Sequence, residues 1–325
     1  MSKKHYMLVA FGLTVLFSII FFMTLPVEVA GHRPGNVPLL VANVVVVAVA
    51  TALFITLTLI VLTKRAYVKN QLNTLKRFRH LLILMVKRDF VTRYRRSILG
   101  ILWSVLNPLL TMLVLTMVFS FIFNAEIPNF PVYVLSGQII YNFFSESTTR
   151  AMGSVLGNAG IIKKVYVPKY IYPVTNIISS TVNLGFAFIA FLLVYIIMGE
   201  PFRWTLLLIP IPILYTFVFS LGVGMLLSSM NVFFRDLSYL YGIGTTLLFF
   251  MTPIMYSPEI LPERVYYLIH LNPLFHYVDY FRQLALNGTV PGLWTNIICA
   301  GFALAAFCGG AYVMMAQQDK YILYL

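Results

Sequence analysis

Charge is the first scarcity. Asp, Glu, Lys and Arg supply 10% of the 325 residues and hydrophobic residues 60%, whereas ordinary globular chains carry about 25% charged residues. A water-soluble core cannot absorb that ratio, but a bilayer can. Acidic residues are scarcer than basic ones, ten against 23, for a net charge of +13. In a soluble chain this surplus would suggest nucleic acid. In a membrane chain it follows from the retention of Lys and Arg on the cytoplasmic side, and no nucleic-acid partner is expected.

Cysteine is almost missing. Cys299 and Cys308 lie within one apolar run, which excludes a disulfide framework and a Cys-based metal site. No G-x-x-x-x-G-K-[S/T] occurs, so no phosphate-cradling loop is present, and no H-E-x-x-H occurs. Gly222/Gly224 and Gly242/Gly244 lack the rest of a dinucleotide motif. His270 and His276, near Asp279, come nearest to a metal or acid/base group. Their spacing does not place them on one helical face. No predicted span carries a charge at its midplane, where ion-coupled transporters usually keep one. No convincing inverted repeat is visible either. The energy for any transport is therefore expected from another subunit.

Long apolar runs are what the chain has. Uncharged stretches cover 6–27, 34–63, 98–124, 127–145, 170–199, 204–234, 237–258 and 283–318. Each can supply the roughly 20 residues of a spanning helix, which gives eight predicted spans. With the N-terminus inside, only Arg33, Arg203, Arg264 and Arg282 of the 23 basic residues fall outside. That asymmetry puts both termini in the cytoplasm. A cleaved leader, cut after Ala30, would place Glu28 three residues before the cut, where a small residue is needed. Residues 1–63 are thus read as a two-span hairpin without chemistry of its own, and 64–80 as a basic juxtamembrane connector held by anionic lipid.

The stretch 86–108, VKRDFVTRYRRSILGILWSVLNP, organises the rest. Val86, Phe90, Tyr94 and Ile98 are four apart and share one helical face. Arg88, Asp89, Thr92, Arg93, Arg95 and Arg96 lie opposite, and only Lys87 intrudes on the apolar arc. A basic amphipathic helix of this kind lies in the membrane interface among lipid phosphates. The chain is then expected to turn at Leu99-Gly100 and enter the bilayer.

Glu146 and Arg150 place the inner surface near the end of the run 127–145. A short helix parallel to the membrane is predicted within 151–169, AMGSVLGNAGIIKKVYVPK, where Ile161, Ile162 and Val165 could plug into a soluble partner. Ser220, Gly224 and Ser228 recur every fourth residue, as in close helix packing. Arg235-Asp236 marks a tight inner turn. Residues 258–282 are too polar to span, and read as one or two short helices at the outer leaflet, separated at Asn272-Pro273. Such a segment needs protein or a water-filled cavity over its backbone.

The order of these parts resembles the permease subunits of ABC-2-type exporters of polysaccharides, the family that moves O-antigen chains and teichoic acids. The resemblance runs from about 78 to 325 and rests on LLILMVKRDFVTRYRRSILGILWSVLNPL, NAGIIKKVYVPKYIYP, NVFFRDL and SPEILPERVYYLIHLNPL. It implies an all-α polytopic fold. A six-span permease domain would occupy 99–325, with outer re-entrant helices at 258–282, behind a connector and interface helix at 64–98. The hairpin 1–63 departs from the family pattern. The resemblance further implies two copies of this chain, two copies of a separate ATPase that binds ATP and Mg, and a lipid-linked polysaccharide or teichoic-acid-like substrate. No cofactor is expected in this chain.

By that resemblance, Asn158, Ile161, Ile162, Lys163, Lys164, Val165, Tyr166 and Pro168, with Arg235 and Asp236, couple to the ATPase. The interface helix, with Lys87, Arg88, Asp89, Phe90, Arg93, Tyr94, Arg95 and Arg96, braces that contact. Trp103, Tyr141, Phe144, Tyr239, Tyr241, Phe249 and Tyr256 are candidates for lining a channel between two copies. Taken singly, each aromatic is expected in core packing or the interfacial belt, and several of the set are expected to line the path. Two alternatives are an ABC-2 permease for a drug or small lipid, and a membrane glycosyl- or acyltransferase built on Glu259, Glu263 and Asp279.

Overall fold

A computed structural model of the chain describes residues 73–74, 76–95, 98–122, 127–165, 167–318 and 320–324. The hairpin 1–63, Arg96 and Tyr166 lie outside the described residues. The described part is helical, and no strand occurs in it. Helix α1 is Arg79–Tyr94, α2 is Trp103–Thr116, α3 is Phe130–Gly157 and α4 is Ala159–Ile162. Helix α5 is Ile171–Ile197, α6 is Pro210–Phe233 and α7 is Leu237–Met251. The outer pair is α8, Glu263–His270, and α9, Pro273–Arg282, followed by α10, Leu293–Gln317, and α11, Tyr321–Tyr324.

Four segments are long and apolar enough to cross a membrane: Gly100–Ser120, Ile171–Ile197, Trp204–Phe233 and Leu293–Gln317. The run from Leu237 is uncharged to Pro258, yet its helix has only 15 residues. It rises about 22 Å, short of the roughly 30 Å hydrocarbon core. Pro253 follows directly, and proline cannot continue a helix. The last span likewise begins ten residues later than the uncharged run, after a wide turn at Gln283–Asn287. That turn closes on Gly288 at φ 67, where a Cβ would also strike the Arg203 side chain.

Helix α3 is the hub, and α2, α5, α6, α7 and α9 all pack on it. Past Glu146 the helix runs on for about three further turns, to Gly157, before the four-residue helix α4. Helix α1 supplies partners for the charges of α3. Arg93 Nη2 lies 2.6 Å from Glu146 Oε1 and Arg150 Nη2 lies 3.5 Å from Asp89 Oδ2. Ala151, Met152 and Val155 on the same extension are buried.

Two small-residue contacts set the helix spacing. Gly224 meets Ala151 and Ile177, and Ser228 Oγ lies 3.3 Å from Ser154 Oγ, so this stripe faces α3 and α5. Gly222, two residues away, faces α10. There the two backbones touch, and a Cβ on Gly222 or on Gly310 would overlap main-chain atoms of the opposing helix.

The outer segment divides as expected at Asn272-Pro273. Asn272 Oδ1 accepts from the Leu274 amide at 3.0 Å and caps α9, while its Nδ2 donates to Thr252 Oγ1 at 2.9 Å. His276 Nε2 is 2.7 Å from the His270 carbonyl, and burial pushes His276 down to about 4, so the ring is neutral and structural at pH 7.

Candidate functional site

The end of the bundle at the junction of α3 and α4 carries the residues of interest. A second buried cluster joins Met85 of α1, Val155 of α3, Ile162 of α4, Ile171 of α5, Met225 and Val232 of α6, Met314 of α10 and Tyr321 of α11. Four consequences follow for the segment after α3. Asn158 Nδ2 donates to the Ser154 carbonyl at 2.8 Å and ends α3. Ile162 points inward and is buried, whereas Ile161 and Val165 are exposed at 44% and 56%. Two of the three apolar residues of this segment are therefore open to solvent or a partner, and Ile162 is not. Lys163 and Lys164 are exposed on the turn, and Pro168 is buried. Arg235 and Asp236 are exposed on the α6–α7 turn. Asn231 Nδ2, four residues before Arg235, donates to the Met152 carbonyl at 3.2 Å and fixes that turn to α3.

Helix α1 lies along this end. Val86, Phe90 and Tyr94 face the bundle, and Phe90 stacks on Phe186 of α5 with ring centroids 6.5 Å apart. Ile98 does not continue the face. The helix stops at Tyr94, and Ile98 is fully exposed. Lys87, Arg88, Arg93 and Arg95 are exposed, but Asp89 turns inward to Arg150. A polar network results. Glu146 Oε1 receives Arg93 at 2.6 Å, Asn183 Nδ2 at 2.8 Å and Arg150 Nη1 at 3.6 Å. Tyr94 donates to Asn183 Oδ1 at 3.0 Å and pairs with Ser104. This ties α1, α2, α3 and α5 together at one point, which sequence periodicity could not foresee, because the partners are up to 89 residues apart.

An exposed pair alone contributes about 0.2–1 kcal/mol. Single Arg93→Gln and Glu146→Gln changes should each lower the melting temperature by a few degrees, and the double change by less than their sum. A thermal double-mutant cycle should return about 0.2–1 kcal/mol of coupling. Strict additivity would mean that the contact is inert.

Beside the network lies a cavity of about 300 Å³, bounded by α1, α2, α3 and α5 and including Arg93, Tyr94, Trp103, Ser104, Asn107, Pro108, Asn142, Glu146, Ser180 and Asn183 in its wall.

The aromatic candidates separate into three groups. Tyr141, Phe144 and Phe249 pack within this one chain. Tyr141 meets Phe249 edge-on at 5.0 Å and donates to the Thr245 carbonyl at 2.6 Å, and Phe144 stacks on Phe219 at 5.4 Å. Tyr241 bonds to Thr148, and Tyr256 donates to the Phe250 carbonyl at 2.6 Å. Trp103 and Tyr239 alone are exposed, at 47% and 77%. The whole of α7 contains no buried residue.

One functional-looking residue escaped sequence reasoning. Arg282 reads as an outer topology charge but is buried, with its guanidinium 3.5 Å above the Tyr133 ring. It donates to Ser136 Oγ at 3.2 Å and to the carbonyls of Pro253 at 2.7 Å, Tyr133 at 3.2 Å and Ile254 at 3.2 Å. Burial lowers its pKa to about 10, so it stays charged. Among the described residues no group of three metal-ligating side chains converges.

Comparison with known proteins fits this arrangement. Residues 80–286 match the ABC-2 type transporter family. The O-antigen export system permease protein RfbA of Klebsiella pneumoniae is 32% identical over 228 residues, which cover 69% of this chain and 87% of that protein. The RfbA protein of Myxococcus xanthus is 26% identical over 249 residues, 76% of this chain and 96% of that one. The polysialic acid transport protein KpsM of Escherichia coli is 26% identical over 248 residues, 71% and 91% of the two chains. An all-helical multi-pass membrane protein with these relatives and this match belongs to the ABC-2 type transporter family.

Proposed function

We propose that this chain is the non-catalytic membrane subunit of an ATP-driven exporter that passes a lipid-linked polysaccharide, or a teichoic-acid-like polymer, across the cytoplasmic membrane. The observation that carries the reading is the segment after α3. Ile161, Lys163, Lys164 and Val165 stand out from the protein, while Ile162 is rooted in a cluster shared by α1, α3, α5, α6 and the C-terminal helices. A push on the exposed residues would reach all of those elements, because packed interiors transmit displacement rather than absorb it. ATP and Mg belong to the partner ATPase in this scheme, two copies of which serve two copies of this chain. Both termini face the cytoplasm, as the basic residues require.

The channel runs between the two copies. Helices α2 and α7 each leave an apolar side uncovered, with Trp103, Leu110, Leu113 and Val114 on one and Tyr239, Ile243, Leu247 and Phe250 on the other. Sides of this kind suit a second copy and a polymer held by many weak contacts. The permease domain is 99–325, the interface helix lies in 64–98, and the hairpin 1–63 is an addition. The polysaccharide assignment rests on the relatives named above.

Purification from the native host in mild detergent, followed by mass measurement, tests the assembly. A two-plus-two particle with an ATPase is expected, and a deletion strain should lose a surface polymer. A chain that travels alone, or a strain with its polymer intact, would overturn the reading. Lys163→Glu with Lys164→Glu should leave ATP hydrolysis measurable but cut export at least tenfold. Unchanged export would remove the coupling role.

A further inference from the structure

We propose that the cavity between α1, α2, α3 and α5 is a binding pocket for one neutral sugar ring at the head of a glycosylated lipid. The inference rests on the polysaccharide-export reading and names a site for it. At about 300 Å³ the cavity stands at the lower end of small-molecule sites, roughly 300–1,000 Å³. It therefore suits a single ring rather than a polymer segment.

Its wall offers hydrogen-bonding groups that the protein leaves unused. Asn142 is exposed in the wall and its amide has no partner among the described residues. The Thr111 hydroxyl donates to the Asn107 backbone carbonyl at 2.9 Å and lies 3.3 Å from Asn107 Oδ1, and the Asn107 NH2 group has no partner among the described residues. Ser180 is fully buried in the same wall, and its hydroxyl has no partner among the described residues. An unpaired buried hydroxyl costs about 1–3 kcal/mol, a cost that a bound ligand would relieve.

The remaining chemistry selects the class of ligand. Sugar hydroxyls both donate and accept, and the wall presents both kinds of partner. Trp103 and the Pro108 ring provide apolar surface for the C–H face of a pyranose. A phosphate would need a free cation, but Arg93, the one basic residue among the described residues of the wall, is held by Glu146 at 2.6 Å. A plain alkyl chain would leave the polar groups unsatisfied. The location agrees, since the cavity adjoins the interface helix, at the depth of lipid headgroups under the proposed topology.

The test uses the whole complex in nanodiscs, with Trp204→Phe and Trp294→Phe so that Trp103 is the remaining indole of this chain's three, and reads the difference from the same complex carrying Trp103→Phe as well. Decyl β-D-glucopyranoside, decyl phosphate and decanol are titrated in turn. A saturable change in Trp103 fluorescence with the glucoside alone is expected. Asn142→Leu should weaken it at least tenfold. Ser180→Ala should weaken it several-fold without lowering the melting temperature. No saturation with the glucoside, or an equal response to decyl phosphate or decanol, would overturn the proposal. Native mass spectrometry on the unsubstituted complex, counting bound glucoside, decides the matter if the tryptophan variants do not assemble. Failure here with a surface polymer still dependent on the gene removes only the pocket. An intact polymer in the deletion strain removes the reading beneath it.

Discussion

Replacing Gly310 with leucine is expected to leave almost no folded chain in a detergent extract. Most overpacked positions can relax by turning a side chain, at a cost of typically 1–3 kcal/mol. This one cannot. A Cβ on Gly310 would overlap the Gly222 carbonyl, and a Cβ on Gly222 would overlap the Ala306 carbonyl and the Phe307 amide. All the obstructing atoms are backbone, so α6 and α10 would have to separate along their length. Without a hydrophobic force between helices in lipid, that close packing is the main source of their association. Gly309, next in sequence, has open space around its Cβ position. Gly309→Ala is therefore the internal control, with wild-type yield and melting temperature expected. Fluorescence-detected size exclusion at matched expression is the measurement. A monodisperse peak of normal height for Gly310→Leu would show that the two helices separate without harm.

The second large effect is expected at Arg282. Its side chain gives four hydrogen bonds, three of them to backbone carbonyls, and lies over Tyr133. The carbonyls of Pro253 and Ile254 follow the end of α7 and have no helical donors there. Arg282 thus stitches the α7–α8 connection to α3. Arg282→Met keeps the volume but orphans those acceptors, at about 1–3 kcal/mol for each buried group left unpaired. Lysine is no substitute, because a point charge cannot reproduce the planar fork. Both variants should let protease cut within 252–262 while the remaining helices stay folded, and Arg282→Met should lose more than ten degrees of melting temperature. Wild-type resistance in both would mean that the arginine is carried passively.

These two positions show where sequence reading stopped. Ser220, Gly224 and Ser228 were legible as a packing stripe because the spacing of four is visible in the chain. Gly222 was not, since its importance depends on Gly310 lying opposite, and nothing local says which helix a glycine will meet. Arg282 was counted as a charge on the outer side, which is where hydropathy puts it, although its burial depends on Tyr133 and Pro253 from distant parts of the chain. Glu146 and Arg150 are legible as charges at the end of an apolar run, but their partners Arg93 and Asp89 lie 53 and 61 residues away, and no local pattern names them. Tyr141, Phe144 and Phe249 stood out as aromatics, but aromatic content does not distinguish a ring packed inside one chain from a ring in a channel.

The sequence by itself determined the class of protein, an all-helical membrane chain built on long apolar runs, and the exposure of Ile161, Lys163 and Lys164. The bilayer makes these legible, because it demands long apolar runs and sorts positive charge to one side, and both are one-dimensional properties of a chain. Only the tertiary structure decided which side chains are spent on one another. It closed Glu146 onto Arg93, Arg150 and Asn183, brought Gly222 against Gly310, rooted Ile162 and left Ser180 and Asn142 beside an open cavity. Those outcomes depend on distances of a few ångströms between residues far apart in sequence, and no periodicity in the chain encodes them.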